Sequence, residues 1–253
     1  MNEGQAAGWE ESKNMKTEPK TEIWDKTGSG VLTETPLLLK ACREGQFGTA
    51  FPFSGGCVYQ ALFTYLAGKA DEPFFSAHPE LFYGSWLVCM SPEWESFLRG
   101  LPMRNVFRRE VMEPLCAESI KQLKPLPAGY SVSPFTPEIF EAHPFGHGRN
   151  YAGFGDFSKR GAGAAALYNG QAVSAASGFL TFEDQVELDI CTAPEHRKRG
   201  LADHCISEVM RQCSRKGLTI HWDAQNRISA GLAKAHGFRP LTEYAVYCLR
   251  EHE

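Results

Sequence analysis

Two carboxylates lie two residues apart in the segment Glu187-Leu188-Asp189-Ile190-Cys191-Thr192. Polar and apolar side chains alternate along this segment, which predicts a strand with Glu187, Asp189 and Cys191 on one face. A carboxylate held near an ammonium group can take its proton, either directly or through a water. We therefore predict general base chemistry on this face, with Glu187 favoured over Asp189, although either carboxylate could instead pair with a basic residue.

A basic turn follows this strand and leads into a helix. Pro194 stops the strand, and the turn then reads Arg197-Lys198-Arg199-Gly200-Leu201-Ala202. Free backbone N–H groups at a helix N-terminus attract anions, and the helix dipole adds to this attraction. Basic side chains at this helix end oppose the dipole unless an anion compensates them. The turn therefore predicts a pyrophosphate site rather than an ordinary basic helix start.

The elements after the turn are also predicted by spacing. Apolar residues three to four apart indicate an amphipathic helix over 201–215, and Gly217 is suited to end it. The run Leu218-Thr219-Ile220-His221-Trp222 is typical of a strand. Asn226 is placed to cap a second helix, which ends at Gly237-Phe238. Three apolar residues are predicted to share the buried stripe of that helix: Ile228, Leu232 and Ala235.

These motifs, in this order, resemble the GNAT family of acyl-CoA-dependent N-acetyltransferases. The family's first signature is Arg or Gln, two residues, Gly, one residue, and Gly or Ala, and it is matched by Arg197, Gly200 and Ala202. Its second signature is an Asn after the next strand and a helix that ends in Gly-Phe, matched by Asn226 and Gly237-Phe238. The surrounding sequence is most similar to the subgroup typified by the zwittermicin A resistance acetyltransferase.

The resemblance implies an α+β fold whose mixed, mostly antiparallel central sheet is flanked by helices. It also implies that acetyl-CoA lies where two neighbouring strands of the sheet separate, with the basic turn on its pyrophosphate and a strand edge along its pantetheine arm. Asn226 would contact the cofactor too, although its role as a helix cap alone would explain it. The residues implied to contact the cofactor are Ile190, Cys191, Thr192, Arg197, Lys198, Arg199, Gly200, Leu201, Ala202, Asn226 and Ser229.

Direct attack of an amine on the thioester is the chemistry that the resemblance implies, with Glu187 and Asp189 as the candidate bases. The leaving thiolate needs a proton donor, and many family members carry a Tyr four residues before the helix-ending Gly. Ala233 occupies that position here. Tyr244, Tyr247 or a water could replace the missing hydroxyl, but both tyrosines are more simply explained as packing residues.

Composition and charge limit the partners of the chain. A net charge of −4 argues against nucleic acid as the main partner. No apolar run approaches the roughly 20 residues of a membrane-spanning helix, and the N-terminus is polar rather than signal-like. The eight cysteines lack paired spacing, which favours reduced thiols in the cytoplasm. Cys191 is accordingly interpreted as a small hydrophobe rather than as an acyl-accepting nucleophile.

Two histidines are spaced as candidate metal ligands. His143 and His147 are four residues apart, but Pro144 and Gly146 lie between them, which favours a loop over a zinc site. We therefore predict no metal. The oligomeric state is not indicated by the sequence.

Three segments are predicted along the chain: a flexible arm over 1–34, a small α+β domain over 35–124 and the acetyltransferase domain over 125–253. The proline- and glycine-rich stretch 125–129 marks the boundary. Ser91 is predicted to cap a helix, and Asn169-Gly170 to form a hairpin turn. The stretch 57–66 fits either a strand or a helix.

The function predicted from these features is transfer of an acetyl group from acetyl-CoA to a primary amine of a small molecule, such as an antibiotic. Two alternatives stay open. One is an acyl-CoA-binding sensor or scaffold that has lost catalysis, which Ala233 supports. The other is acetylation of a protein amine, which would need an open cleft.

Overall fold

The protein is described by a computed structural model that covers residues 29–114 and 123–250. Eleven strands in these ranges form one continuous sheet. The strands are β1 (Thr49–Phe53), β2 (Gly56–Gln60), β3 (Thr64–Gly68), β4 (Leu87–Cys89), β5 (Met103–Pro114), β6 (Tyr130–Pro134), β7 (Gly163–Tyr168), β8 (Gln171–Phe182), β9 (Gln185–Thr192), β10 (Thr219–Ala224) and β11 (Phe238–Leu249). Their order across the sheet is β1-β2-β3-β4-β11-β5-β10-β9-β8-β7-β6.

Seven α-helices in the described ranges accompany the sheet. They are α1 (Leu37–Arg43), α2 (Glu72–Ala77), α3 (Pro92–Arg99), α4 (Pro137–Ala142), α5 (Phe154–Arg160), α6 (Leu201–Lys216) and α7 (Arg227–Ala235). The β3–β4 and β9–β10 pairs are parallel, and the other neighbouring pairs are antiparallel. The α+β class and the mixed, mostly antiparallel sheet predicted from the sequence are therefore confirmed.

The helices divide between the two faces of the sheet. On one face, α6 and α7 cover Leu188 and Trp222, and α3 covers Tyr247 further along the sheet. On the opposite face, α1 packs with Val111 and Tyr244. Because successive residues of a strand point to opposite faces, β9 and β10 direct their alternate polar side chains toward the face that α1 occupies. This face is called the α1 face below.

Strand β5 lies in the middle of the sheet, although it precedes the predicted boundary at 125–129. It pairs with β11 from Phe238 opposite Pro114 to Leu249 opposite Met103, and its other edge pairs with β10. The sheet thus runs across the predicted boundary. The division of the chain into domains at residue 125 stays a prediction.

The predicted flexible arm falls mostly outside the described residues, which begin at Ser29. The last part of it differs from the prediction. The Gly30 N–H donates to Glu95 Oε1 at 2.6 Å, and the Gly30 carbonyl accepts from the Ala245 N–H at 3.0 Å. Leu32 is fully buried. Main-chain partners and one buried leucine therefore hold residues 29–34 against the sheet.

Several local predictions are confirmed. Ser91 caps α3 by accepting from the Trp94 N–H at 3.4 Å. The β7–β8 hairpin turns at Asn169 and Gly170, whose φ values are 49° and 78°. The ambiguous stretch 57–66 contributes to two strands, β2 and β3, which form a hairpin.

The predicted stripe of α7 is wrong for two of its three residues, whereas the third, Leu232, packs against the core. Ile228 is 84% exposed and Ala235 is also exposed, whereas Ala230 and Ala233 are buried. Small side chains on this face let the helix approach Trp222 and Phe238 of the sheet closely, so the alanines rather than the larger Ile228 turn inward.

Glu95 links three elements in this fold. Its carboxylate accepts from the Gly30 N–H, from the Tyr247 hydroxyl at 2.8 Å and from the Arg99 guanidinium at 2.8 Å. Burial alone would raise the pKa of Glu95, but these hydrogen bonds outweigh it and the pKa is lowered. A carboxylate with a lowered pKa stabilises the fold above its unfolded pKa, and this contribution is lost as pH falls.

We expect Glu95→Gln to lower the free energy of unfolding by about 1–3 kcal/mol at pH 7, because it removes the charge from a buried group that accepts hydrogen bonds from Gly30, Tyr247 and Arg99. The difference from the parent protein should shrink as pH falls below the ordinary glutamate pKa of about 4.3, because the unfolded chain then gains a proton more readily than the folded one. Urea unfolding of both proteins at pH 7 and at acidic pH measures the difference in the free energy of unfolding. Glu93→Gln, at an exposed position of the same helix, is the matched control and should be nearly neutral.

Candidate functional site

Strands β9 and β10 pair with each other over only three residues. The register is Thr219 opposite Gln185, Ile220 opposite Val186 and His221 opposite Glu187. Beyond this point β9 pairs on its other side with β8, and β10 pairs on its other side with β5. The two facing edges therefore separate after the Glu187–His221 pair, and an extended ligand can add to an open strand edge of this kind.

Backbone alternation decides which groups of β9 face the gap. The Ala193 N–H donates to the Val173 carbonyl of β8 at 2.9 Å. Because N–H and C=O groups alternate sides along a strand, the main-chain groups of Cys191 also face β8, whereas those of Ile190 and Thr192 face the gap. Of the three residues implied to pair with a pantetheine arm, two thus present their backbone to it.

Side chains of the protein already contact these two backbone positions. The Ile190 N–H lies beyond the paired part of β9 and β10 and donates to Asp189 Oδ1 at 2.8 Å. The Thr192 carbonyl accepts from Arg197 Nε at 3.1 Å. Arg197 therefore joins the basic turn to the end of β9, where the implied cofactor would pass.

The turn before α6 leaves the N-terminus of the helix open. Gly200 is the N-cap residue, has φ 77° and offers no side chain to the amides of the first turn. Lys198 also has a positive φ, 60°, which is uncommon for a residue other than glycine. Residues 197–200 are all exposed. The amides that follow, including those of Leu201 and Ala202, are arranged as an anion site requires.

The start of α7 is capped by the protein itself. Asn226 Oδ1 accepts from the Ser229 N–H at 3.0 Å, and Ser229 Oγ accepts from Trp222 Nε1 at 3.1 Å. The predicted capping role of Asn226 is confirmed. Its side-chain amide donor and the Ser229 hydroxyl proton are the groups through which these two residues could contact a ligand.

Glu187 and His221 form a close pair on the α1 face. Glu187 Oε2 lies 2.5 Å from His221 Nδ1, and only 9% of the Glu187 side chain is exposed. Burial alone would lower the pKa of His221, but the charge and hydrogen bond of Glu187 outweigh it and the pKa is raised. The expected basic partner of the Glu187 carboxylate is therefore a histidine on the neighbouring strand.

Asp189 has a more open setting. Its side chain is 46% exposed, and its Oδ2 lies 3.4 Å from Nε2 of His147, which is buried. His147 lines a cavity of about 340 Å³. The residues around this cavity are Phe140, Glu141, His143, Gly146, His147, Gly148, Arg149, Tyr151, Ala152 and Gly153. A larger groove of about 580 Å³ lies at the opposite end of β9, near Lys40 and Glu183.

A buried ion pair stands beside the gap. Arg109 of β5 donates through Nε to Asp223 Oδ1 at 3.1 Å and through Nη2 to the Asp223 carbonyl at 2.9 Å. The Tyr244 hydroxyl donates to the other carboxylate oxygen of Asp223 at 2.5 Å. Only 10% of the Arg109 side chain and 5% of the Asp223 side chain are exposed. The pair fixes Asp223 two residues beyond His221 on the same face.

Two tyrosines are the candidate proton donors for a leaving thiolate, and each already donates to a carboxylate. Ala233 of α7 stands where many family members carry Tyr, and it is fully buried against the core. Tyr244 donates to Asp223 and Tyr247 donates to Glu95. Burial raises the pKa of both hydroxyls, because the charged form is poorly solvated and a carboxylate lies close to each. Either tyrosine would have to leave its carboxylate before it could serve a thiolate.

Cys191 is half-buried on the same face as Glu187 and Asp189. Burial and the nearby Asp189 carboxylate raise the pKa of its thiol, which disfavours the thiolate that a nucleophile requires. The seven cysteines in the described part of the chain are all free. In that same part, no group of three His, Cys, Asp or Glu side chains is placed to hold a metal, and no helix is long and apolar enough to cross a membrane.

A family model for GNAT acetyltransferases matches residues 35–247. The chain belongs to the GNAT acetyltransferase family. The match extends to both sides of residue 125, so the family resemblance includes strands β1–β5 as well as the motifs of β9 to α7.

Other similarities agree with this family. The protein named uncharacterized N-acetyltransferase YdfB from Bacillus subtilis (strain 168) is 26% identical over 191 residues, which cover 72% of this chain and 71% of that protein. A GCN5-related N-acetyltransferase-like protein from Streptococcus suis 89/1591 has a TM-score of 0.68 at 21% identity, covering 84% of this chain and 92% of that one. A GCN5-related N-acetyltransferase from Kribbella flavida has a TM-score of 0.56 at 15% identity, with 87% and 98% covered.

Three residues near the predicted bases have no role in the site predicted from the sequence: Arg109, His147 and His221. The signal for His221 was present, because it alternates with Asp223 on a predicted strand that follows the carboxylate strand. Arg109 gave no local signal, since it lies on a strand from the first half of the chain. His147 was considered only as a metal ligand, and its contact with Asp189 depends on the loop after α4.

We expect Arg109→Met to lower the free energy of unfolding by about 3–5 kcal/mol, because it leaves the buried Asp223 carboxylate without its cation. Denaturant unfolding measures the loss. Arg108→Met is the matched control: the adjacent Arg108 pairs with Glu243 on the surface, both side chains are 48% exposed, and the expected cost is about 0–1 kcal/mol. Equal losses in the two variants would contradict the importance given to the buried pair.

Proposed function

We propose that this protein is an N-acetyltransferase that moves an acetyl group from acetyl-CoA to a primary amine of a small molecule. The observation that carries the proposal is the gap that opens between β9 and β10 after the Glu187–His221 pair, with the uncapped N-terminus of α6 following β9. A strand edge suits an amide-containing arm, and a helix N-terminus suits a pyrophosphate. Acetyl-CoA contains both.

In this proposal the cofactor contacts are those implied by the family motifs. The main-chain groups of Ile190 and Thr192 pair with the pantetheine arm, and the amides of residues 197–202 hold the pyrophosphate. Lys198 and Arg199 add positive charge from exposed positions, where solvent and salt limit their contribution. Bound there, acetyl-CoA supplies the acetyl group as a thioester.

The proton of the acceptor ammonium is taken at the Glu187–His221 pair on the α1 face. Glu187 lies on the α1 face at the last paired position before the gap, and so its carboxylate is close to where the thioester would end. Asp189 lies two residues further along the same face and is more exposed, which suits it to act through a water or to bind the ammonium.

A small acceptor is supported by the cavity that is lined by His147, the residue in contact with Asp189. Its volume, about 340 Å³, lies within the range of about 300–1,000 Å³ that is usual for small-molecule sites. Because the sequence is similar to the zwittermicin A resistance subgroup, aminopolyol antibiotics are the acceptors to test first. A cytoplasmic location is part of the same proposal.

A second candidate function is an acyl-CoA sensor or scaffold without turnover. Its support is the buried Ala233 in place of the family's tyrosine, together with the engagement of Tyr244 and Tyr247 by carboxylates. It predicts cofactor binding without thiol release for any amine, including a lysine-containing peptide as the protein-type acceptor.

Acetyl-CoA at a hundredfold excess over its dissociation constant should stabilise the fold by about 2.7 kcal/mol, seen as a rise in Tm. NAD and ATP serve as controls for generic phosphate binding. Gly200→Ala should weaken this response, because it disturbs the turn that presents the amides.

Gly217→Ala provides the matched control for Gly200→Ala. Both glycines flank α6 with positive φ, 77° and 66°, and no described atom lies within 4 Å of a Cβ added at either one. The intrinsic cost of each substitution is therefore similar, about 1–2 kcal/mol. Only Gly200→Ala should change the response to acetyl-CoA. An equal response in both variants would remove the turn from the cofactor site.

We expect Glu187→Gln to reduce kcat by about 10²–10⁴-fold without abolishing the thermal response to acetyl-CoA, since the carboxylate of the proton-accepting pair is lost and the cofactor contacts remain. Thiol release with a panel of primary amines measures turnover. Asp189→Asn, on the same strand face, should have the smaller effect. Full turnover in both variants would contradict the base assignment, and binding without turnover in the parent protein would favour the sensor.

A further inference from the structure

The Glu187–His221 pair has a direction set by its hydrogen bond. An ionised carboxylate can only accept, so His221 Nδ1 is the donor in the 2.5 Å contact with Glu187 Oε2. In the neutral ring this leaves Nε2 without a proton and able to accept one. The carboxylate thereby fixes both the orientation and the tautomer of the imidazole.

Exposure differs between the two partners. The His221 side chain is 19% exposed and the Glu187 side chain is 9% exposed. The imidazole is therefore the more exposed member of the pair.

Charged groups from three elements surround His221. Glu187 lies opposite it on β9, and Asp223 lies two residues on along β10 with its own cation, Arg109, attached. Lys40 of α1 is the opposing positive charge. Burial lowers the pKa of His221, the two carboxylates raise it, Lys40 lowers it again, and the net shift is upward.

We propose that His221 is the catalytic base that takes the proton from the acceptor ammonium, and that Glu187 is the positioning residue that holds the ring for this step. The inference rests on the proposed function, because it assigns the base of that same reaction. It differs from direct proton transfer to Glu187, which the carboxylate's contact with His221 and its low exposure disfavour.

The proton and electron pairs balance in this step. The ammonium gives one proton to His221 Nε2, and the electron pair left on nitrogen forms the bond to the acetyl carbon. The carbon–sulfur bond breaks and its electron pair leaves on sulfur. The nitrogen then loses a second proton. Of the two protons lost, one reaches solvent by way of His221 and the other ends on the sulfur.

A proton NMR titration tests the pair without any turnover. The imidazole C–H signal of His221 is identified as the one missing in His221→Gln. In the parent protein it should titrate above the ordinary value of about 6.5, and in Glu187→Gln below it, because burial is then opposed by less negative charge. A signal that titrates at the same pH in both proteins would overturn the coupling and with it the inference.

Kinetics distinguish the two possible bases. Screening uses acetyl-CoA with spermidine, an aminoglycoside and a lysine-containing peptide as acceptors, followed by thiol release. If His221 is the base, His221→Gln should lose at least about a hundredfold in kcat and keep its Tm response to acetyl-CoA. The acid limb of kcat/KM in the parent should follow the pKa found by NMR, and in Glu187→Gln it should move to lower pH together with that pKa.

Two further outcomes would overturn either the base assignment or the proposed function. Loss of less than about tenfold in His221→Gln, with the acid limb unchanged, would overturn the base assignment while the proposed function stands. Absence of thiol release from the parent protein with every acceptor would overturn the proposed function itself, and the inference with it. His204→Gln, at a histidine that contacts the Lys124 carbonyl away from the pair, is the matched control and should retain turnover.

Discussion

Strand β10 changes its pairing partner, and with it the paired edge, part-way along its length. Its first half pairs with β9 and its second half pairs with β5, so the pairing with β9 ends at His221 and the β9-side edge of the residues after it stays open. The rest of the site depends on this constraint. The gap, the exposed backbone positions on β9 and the placement of α6 after the gap all follow from where the pairing changes. Two largely buried polar contacts of the α1 face lie at the same place, on either side of the change.

Two largely buried side-chain pairs lie on either side of the position where the pairing of β10 changes. Glu187 and His221 are the last residues that pair β9 with β10. Arg109 of β5 binds Asp223 of β10, where β10 pairs with β5. Burying such groups costs desolvation energy, which is offset only where every partner is bonded. Tyr244 completes the set on Asp223. Without these contacts, the register of β10 against β9 or β5 could shift by one residue. The buried pairs therefore favour a single register on each side of the change.

Much of this site could be predicted from local sequence. The strand alternation at 187–192, the left-handed glycines that flank α6 and the Asn226 cap are all consequences of short-range chemistry, and the structure contains each of them. What could not be predicted depends on long-range pairing. Arg109 meets Asp223 across 114 residues, and His147 meets Asp189 through a loop with no regular periodicity. The buried face of α7 was also beyond prediction, because the choice of Ala230 over Ile228 depends on how close Trp222 allows the helix to approach.

The central position of β5 has a consequence for how the chain reaches this structure. On the ribosome, β5 is made long before β10 and β11, and the Arg108–Glu243 pair that joins β5 to β11 spans 135 residues. Until then both edges of β5 lack their final neighbours, and an unpaired strand of this length is prone to associate with other chains. Closure of so long a loop is slow. Strand β11 therefore completes the middle of the sheet after the ten strands before it have been made, and those earlier strands remain in a partly formed state until then.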